Sequence, residues 1–250
     1  MTKIILFKSE SDGGDKFVEE LEKNNFVVQS IPSIDFEFKN LDILSEKLRK
    51  SNDYEGIIFT SPRSIFATQQ LLKSNPDNLK SWSDKRNFTV GESTYNLAKK
   101  LISLETAGKE AGNAQNLSTI IISCYNKNKL TKPFLFPCGN LKQDILEKNL
   151  NENSILLDCI EVYDTIPHPN LENAILKLKE EDDINFIVYF SPSGIKYSMP
   201  FIKHHNLPLS KCKLIAIGPS TKRCMRDYNL ECYAMCEKPS PESLLNVLKK

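Results

Sequence analysis

The stretch IIFTSPRS, Ile57 to Ser64, decides the fold. Its apolar run has no polar alternation, as a strand buried on both faces requires. The run stops at Thr60-Ser61, and Pro62 then stands where a helix would begin; a first-turn Pro loses only an N–H that would be unpaired there. A fully apolar strand feeding straight into a helix is half of a βαβ unit. The same device returns as VYFSPSG, Val188 to Gly194. Two strand ends dressed alike suggest one job done twice.

Working outward, the runs KIILF, FVVQSI, GIIFT, NFTV, PFLFP, ILLDCI, FIVYF and KLIAIG alternate with amphipathic stretches such as KFVEELEKN and SIFATQQLLKS. That pattern reads as α/β with parallel sheets. Laid over itself, the chain repeats. KIILFKSES matches PFLFPCGN, Ser61-Pro62 matches Ser191-Pro192, Gly91-Glu92-Ser93-Thr94 matches Gly218-Pro219-Ser220-Thr221, and Leu117 matches Leu244. The order is kept at an offset of about 130 residues, which suggests two similar doubly wound lobes.

A tandem pair would divide near the polar YNKNKLTK, Tyr125 to Lys132. SIDFEF and CIEVYDT argue against that cut: both follow a βαβ unit, both alternate apolar and acidic residues, and both occupy equivalent places in the repeat. Paired, they would form a two-stranded β connector with an active-site cleft between the lobes. The expected organisation is a discontinuous first lobe (1–34 and 166–250), a second lobe (39–158), and connector strands at 35–38 and 159–165.

The chain has 250 residues, 40% of them hydrophobic and 26% charged, and a net charge of +1 from 33 Lys and Arg against 32 Asp and Glu. Such a balance gives no electrostatic draw toward nucleic acid or anionic membrane, so any anion must be recognised locally. Seven scattered Cys, no h-region after Met1, and no long apolar run lead to the expectation of a cytoplasmic protein without membrane association.

Open α/β sheets bind ligands at the carboxyl ends of their strands. The sequence places there Thr60-Ser61-Pro62-Arg63, Gly91-Glu92-Ser93-Thr94, Gly112-Asn113-Ala114, Cys138-Gly139-Asn140, Ser191-Pro192-Ser193-Gly194 and Gly218-Pro219-Ser220-Thr221. Hydroxyls beside glycine at helix starts expose backbone N–H groups to an anion, at about 0.3 to 1 kcal/mol per end. Any one of these is an ordinary helix cap; several converging would suit a polyanion. HExxH, Walker, GxGxxG and GxSxG patterns are absent, and Cys232-x3-Cys236 with His168, His204 and His205 makes no metal pattern. Gly13-Gly14 reads as a loop.

As an ordered set, Thr60-Ser61-Pro62-Arg63, Gly112-Asn113-Ala114 with Leu117, LFPCGN (135–140), VYDT (162–165), FSPSG (190–194), AIGPST (216–221) and PSPESL (239–244) resemble the uroporphyrinogen-III synthase family, from about Lys3 to Leu248 and closest to its eukaryotic branch. The resemblance implies two α/β lobes joined by a β ladder. It also implies that no cofactor is used; a monomer is expected separately. Its substrate would be hydroxymethylbilane, a linear tetrapyrrole with eight carboxylates, which loses water and closes with inversion of ring D through a spiro intermediate.

Carried over by position, Tyr163 of VYDT is the group that would help the hydroxyl depart; a phenol with pKa near 10 is protonated at pH 7 and can donate. The alternative for Tyr163 is a packing role on the connector. Thr94, Ser191, Ser220 and Thr221 match hydroxyl positions near substrate, and Arg63 and Lys213 match basic ones. Thr60, Ser61, Asn113, Ala114, Gly139, Asn140, Ser193 and Gly194 complete the expected binding set. Glu92 replaces an Asn common in the family and is expected to point away from a polycarboxylate. On the residues alone, two other readings stand: a cofactor-free two-lobed receptor for an anion, and a sugar-phosphate enzyme using the strand ends as phosphate cradles.

Overall fold

The computed structural model describes residues 1–10, 14–73, 76–125, 131–142, 144–181 and 183–249. Gly13 and residues 126–130 of the polar stretch lie outside these. The chain divides into two compact units, Met1–Asp35 with Ile166–Lys250, and Phe36–Thr165.

In chain order, the first unit contributes β1 (Lys3–Lys8), α1 (Lys16–Lys23) and β2 (Val27–Pro32) before the chain leaves on β3 (Ile34–Phe38). The second unit follows with α2 (Leu41–Arg49), β4 (Gly56–Phe59), α3 (Pro62–Leu72), β5 (Phe88–Thr89), α4 (Gly91–Ile102), α5 (Ala114–Tyr125), β6 (Phe134–Gly139) and α6 (Ile145–Glu152). The chain returns on β7 (Leu157–Pro167) and completes the first unit with α7 (Leu171–Leu178), β8 (Ile184–Tyr189), α8 (Pro192–His204), β9 (Lys213–Ala216), α9 (Pro219–Asp227), β10 (Ala234–Met235) and α10 (Pro241–Leu248).

The first unit's sheet has the order β10-β9-β8-β1-β2, and its pairs are parallel. The order reverses direction between β1 and β8, which makes that junction the topological switch point. In the second unit the order is β3-β7-β6-β4-β5. Its β7-β6, β6-β4 and β4-β5 pairs are parallel, and the corresponding switch lies between β6 and β4. Beyond β5 the sheet is extended by a parallel bridge from Phe88 to Ala107.

Both faces of each sheet are buried, which explains the unbroken apolar runs. In β1, Ile5 and Phe7 enter one core while Ile4 and Leu6 enter the core on the other face. In β4, Ile57 and Phe59 take one side and Ile58 the other. Each such side chain contributes about 1.5 to 3 kcal/mol by leaving water. The apolar ILLDCI and the alternating CIEVYDT, separate in the sequence reading, are halves of the single strand β7. Its first half pairs with β6 in the sheet interior, and β3 is its neighbour on the outer side. Lys39 N–H donates to the Val162 carbonyl (3.0 Å) and His168 N–H to that of Ser33 (3.4 Å). These contacts run in opposite senses, so the two strands are antiparallel.

Candidate active site

In the second unit the switch point brings together the ends of β4 and β6. Ser61 has extended backbone and accepts the Arg63 N–H at 3.2 Å, so it caps α3, with Pro62 in the first turn. Thr60 is half-buried beside it. The Arg63 guanidinium lies over the Phe36 ring at 4.0 Å and the Phe66 ring at 5.7 Å, which fixes a cation at this end of the sheet. At the end of β6, Gly139 is buried and Asn140 exposed. Asn140 Oδ1 accepts the Thr165 N–H at 2.9 Å.

Tyr163, on β7, comes to the same place. Its ring meets Phe36 edge-on, with centroids 5.9 Å apart. Burial pushes the phenol above its ordinary value, and a hydrogen bond with Ser61 pulls the other way. The phenol is therefore protonated throughout the neutral range. Asp164, next in sequence, is neutralised by Lys39 at 2.7 Å, and Lys39 also reaches Glu161 at 2.7 Å.

The loops after β5 meet nearby. Gly91 (φ +75) and Gly112 (φ +67) use conformations open to glycine, and a Cβ on Gly91 would lie 3.7 Å from the Gly112 Cα. Asn113 Oδ1 accepts the Asn116 N–H at 2.8 Å and so caps α5, with Ala114 its first residue. Thr94, in the first turn of α4, is buried. Glu92 is exposed and paired with Lys109 at 3.1 Å.

In the first unit, Ser191 accepts the Gly194 N–H at 3.1 Å and caps α8 behind Pro192. Ser193 is half-buried. A Cβ on the buried Gly194 would lie 3.2 Å from Ser33 Oγ, so α8 packs closely against the end of β2. Ser220 is exposed and Thr221 buried in the first turn of α9. Lys213 requires a correction. It is the first residue of β9, with Nζ 3.2 Å from the Tyr233 hydroxyl and 4.3 Å from that ring's centroid. A strand rises about 3.3 Å per residue, so Lys213 sits roughly 13 Å from the carboxyl end that carries Ser220, at the wrong end of the sheet for the expected set.

The sequence reading missed Lys8. It ends β1 at the first unit's switch point, lies over the Phe17 and Phe190 rings at 5.5 and 5.4 Å, and is neutralised by Asp15 at 2.7 Å. The available signal was a cation closing an apolar strand. Phe36, the platform for Arg63 and neighbour of Tyr163, was read only as connector.

Within the two units, the helix starts are of two kinds. Helices α3, α8 and α10 are capped by Ser61, Ser191 and Ser240. Helices α4 and α9, which follow β5 and β9 at equivalent places in the repeat, begin at Val90 and Gly218 with no side-chain cap. At α4 the Gly91 N–H is taken by the Gly108 carbonyl (3.1 Å) and at α9 Pro219 has none, so the N–H groups of Glu92 and Ser93 and of Ser220 and Thr221 are the ones these two starts hold for an external anion; α6, after β6, likewise begins without a side-chain cap. Among the described residues no three His, Cys, Asp or Glu side chains gather as a metal site, and no helix is long and apolar enough to cross a membrane.

Comparison with known proteins accords with this geometry. The family model described as uroporphyrinogen-III synthase HemD matches residues 15–246. The chain is 29% identical over 248 residues to the uroporphyrinogen-III synthase of Schizosaccharomyces pombe, covering 98% of this chain and 95% of that one. It is 26% identical over 265 residues to the Saccharomyces cerevisiae synthase, covering 99% and 95%. The solved uroporphyrinogen-III synthetase of Helicobacter pylori shares the fold, with a TM-score of 0.70, 18% identity and coverage of 100% and 99%. The chain belongs to the uroporphyrinogen-III synthase family.

Proposed function

We propose that this chain closes hydroxymethylbilane to uroporphyrinogen III, with Tyr163 as the proton donor and the uncapped starts of α4 and α9 as the principal carboxylate receivers. The reaction expels water and forms a carbon–carbon bond without net oxidation, so its balance calls for no electron carrier. A pyrrole nitrogen supplies the electrons that drive out the terminal hydroxyl. A donor beside the departing oxygen lowers that barrier, because hydroxide is a poor leaving group and water a good one. Inversion of ring D then depends on holding the acid side chains while the chain end rearranges, which is work for fixed dipoles.

The observation that carries the reading is the half-buried phenol of Tyr163, turned by the bulge onto the core beneath the end of β4 and kept protonated by burial. The free N–H groups at α4 and α9 support it, as does Arg63 on its aromatic platform. In this reading Thr60, Asn113, Ala114, Ser193 and Gly194 shape the loops, Ser61 and Ser191 chiefly cap their helices, Ser220 faces substrate, and the buried Thr94 and Thr221 support the starts of α4 and α9. The enzyme acts as a cytoplasmic monomer; its seven unpaired cysteines fit a reducing compartment.

The test supplies hydroxymethylbilane in situ and resolves the product isomers. Spontaneous closure gives the symmetric type I ring, so type III product in proportion to added protein is expected. Type I alone would overturn the proposal. A receptor would bind the substrate without changing the isomer ratio, which separates that alternative in the same assay.

A further inference from the structure

We propose that Gly139 and Asn140, at the end of β6, are positioning residues that aim the Tyr163 phenol at Ser61, rather than substrate contacts. This rests on Tyr163 being the proton donor. Three features of the second unit carry it.

The first is a break in the ladder. The β6–β7 register runs evenly from Phe134 opposite Leu157 to Cys138 opposite Glu161, then places Gly139 opposite Tyr163 and skips Val162. Such a bulge re-aims the side chain that follows it. Ile160 and Val162 alternate onto one core, and strict alternation would send Tyr163 to the other face. It packs against the same core as they do.

The second is the floor beneath the ring. A Cβ on Gly139 would lie 2.4 Å from Tyr163 Cζ, 2.5 Å from Cε2 and 2.8 Å from Oη. Gly139 is not among the residues with positive φ, so its backbone would admit any side chain. The nearest atoms that require glycine here are those of the tyrosine ring.

The third is the brace. Asn140 N–H donates to the Tyr163 carbonyl at 3.2 Å, and its side-chain oxygen accepts the Thr165 N–H at 2.9 Å. One residue thereby holds β7 at two points just beyond the bulge, and its oxygen is committed to backbone.

Together these hold the phenol where the proton is needed. When the carbon–oxygen bond breaks, the leaving oxygen takes the Tyr163 proton and departs as water, with the pyrrole nitrogen supplying the electron pair. The tyrosinate left behind accepts the Ser61 hydroxyl, and the proton lost from the pyrrole at ring closure returns to it. A donor displaced by about 1 Å can cost 100-fold in rate.

The experiment measures kcat, KM and Tm for Gly139→Ala, Asn140→Ala and Asn140→Asp, each in the wild-type and Tyr163→Phe backgrounds. Gly139→Ala is expected to lower kcat about 10- to 100-fold with KM within about threefold, and to cost no more in the Tyr163→Phe background. Asn140→Ala should lose about tenfold in kcat, while Asn140→Asp, which keeps the acceptor, stays within about threefold of wild type. Equal losses in both backgrounds, or an Asp variant with higher KM than Ala, would place these residues against the carboxylates of the substrate and overturn the proposal. If Gly139→Ala fails to fold, the Asn140 pair decides. Tyr163→Phe turning over at the wild-type rate would instead remove the reading of Tyr163 itself.

Discussion

A buried phenol serves as an acid only while it keeps its proton, so Tyr163→Phe isolates that one atom: the ring still lies across Gly139 and only the donor is gone. Turnover is expected to fall roughly 10- to 1,000-fold with little change in Tm, since general acid help is typically worth about 10² to 10⁴ and water can replace part of it. Type I product should rise as the spontaneous closure overtakes the enzyme. A variant making type III at the wild-type rate would leave Tyr163 as packing only. The pH dependence follows from the raised pKa. The folded state binds this proton more tightly than the unfolded chain, so the group's stabilisation is complete below about pH 10 and lost as pH rises through the folded value. A kcat profile with no alkaline limb assignable to Tyr163 below about pH 10 is expected. The thiols give a separate residue-scale check. Burial pushes Cys138 up to about 12 and Cys159 and Cys236 to about 11, whereas Cys124 is exposed. Under native conditions a disulfide reagent at pH 8 should titrate Cys124 rapidly and those three only on unfolding. Fast labelling of Cys138 would contradict the buried strand end.

Among the elements, the two Ser-Pro helix starts and the two uncapped ones make opposite predictions. The Ser191 hydroxyl is occupied by the Gly194 N–H, so Ser191→Ala should cost about 0.5 to 2 kcal/mol of stability and leave KM nearly unchanged. Ser220 is exposed in the first turn of α9, whose cap residue Gly218 offers no side chain. Ser220→Ala should spare Tm and raise KM several-fold, by about 1 kcal/mol of lost hydrogen bonding. Measuring melting and KM on both variants decides the matter; a destabilised Ser220→Ala with normal KM would make α9 an ordinary capped helix. The start of β4 shows how tightly such elements are seated. A Cβ on Gly56 would lie 2.0 Å from the Arg86 carbonyl oxygen, so even a methyl group there must displace backbone.

For the whole molecule, the telling feature is how the repeat is partitioned. The first unit takes β1 and β2 from the first repeat and β8, β9 and β10 from the second; the second unit takes β4 and β5 from the first and β6 and β7 from the second. The contiguous piece Phe36–Thr165 therefore holds a full sheet with cores on both faces. Expressed alone, residues 36–165 should melt cooperatively with a dispersed amide spectrum, and should lack synthase activity. Residues 1–129 contain β1 without β8 and β4 without β6, so neither sheet can close. A well-folded 1–129 fragment would contradict the exchange of halves.

The sequence by itself determined the local identities. Apolar runs buried on both faces had to be parallel strands, Ser-Pro after such a run had to open a helix, and the ordered repeat required each kind of segment twice. These are short-range consequences of side-chain period and backbone geometry. Pairing is different, because equivalent strands from the two repeats present nearly the same apolar faces; the alternating SIDFEF and CIEVYDT pointed to an exchange of halves, and the strand-by-strand order that sets β1 beside β8 and β4 beside β6 comes from the packed structure. The same limit explains Lys213 and Tyr163. Whether a cation at the edge of a strand reaches a binding end depends on which end of the sheet it occupies. Likewise, the turn of Tyr163 onto the Ser61 side arises from a bulge in the β6–β7 ladder. That bulge is a property of two strands together, and neither strand carries it in its own sequence.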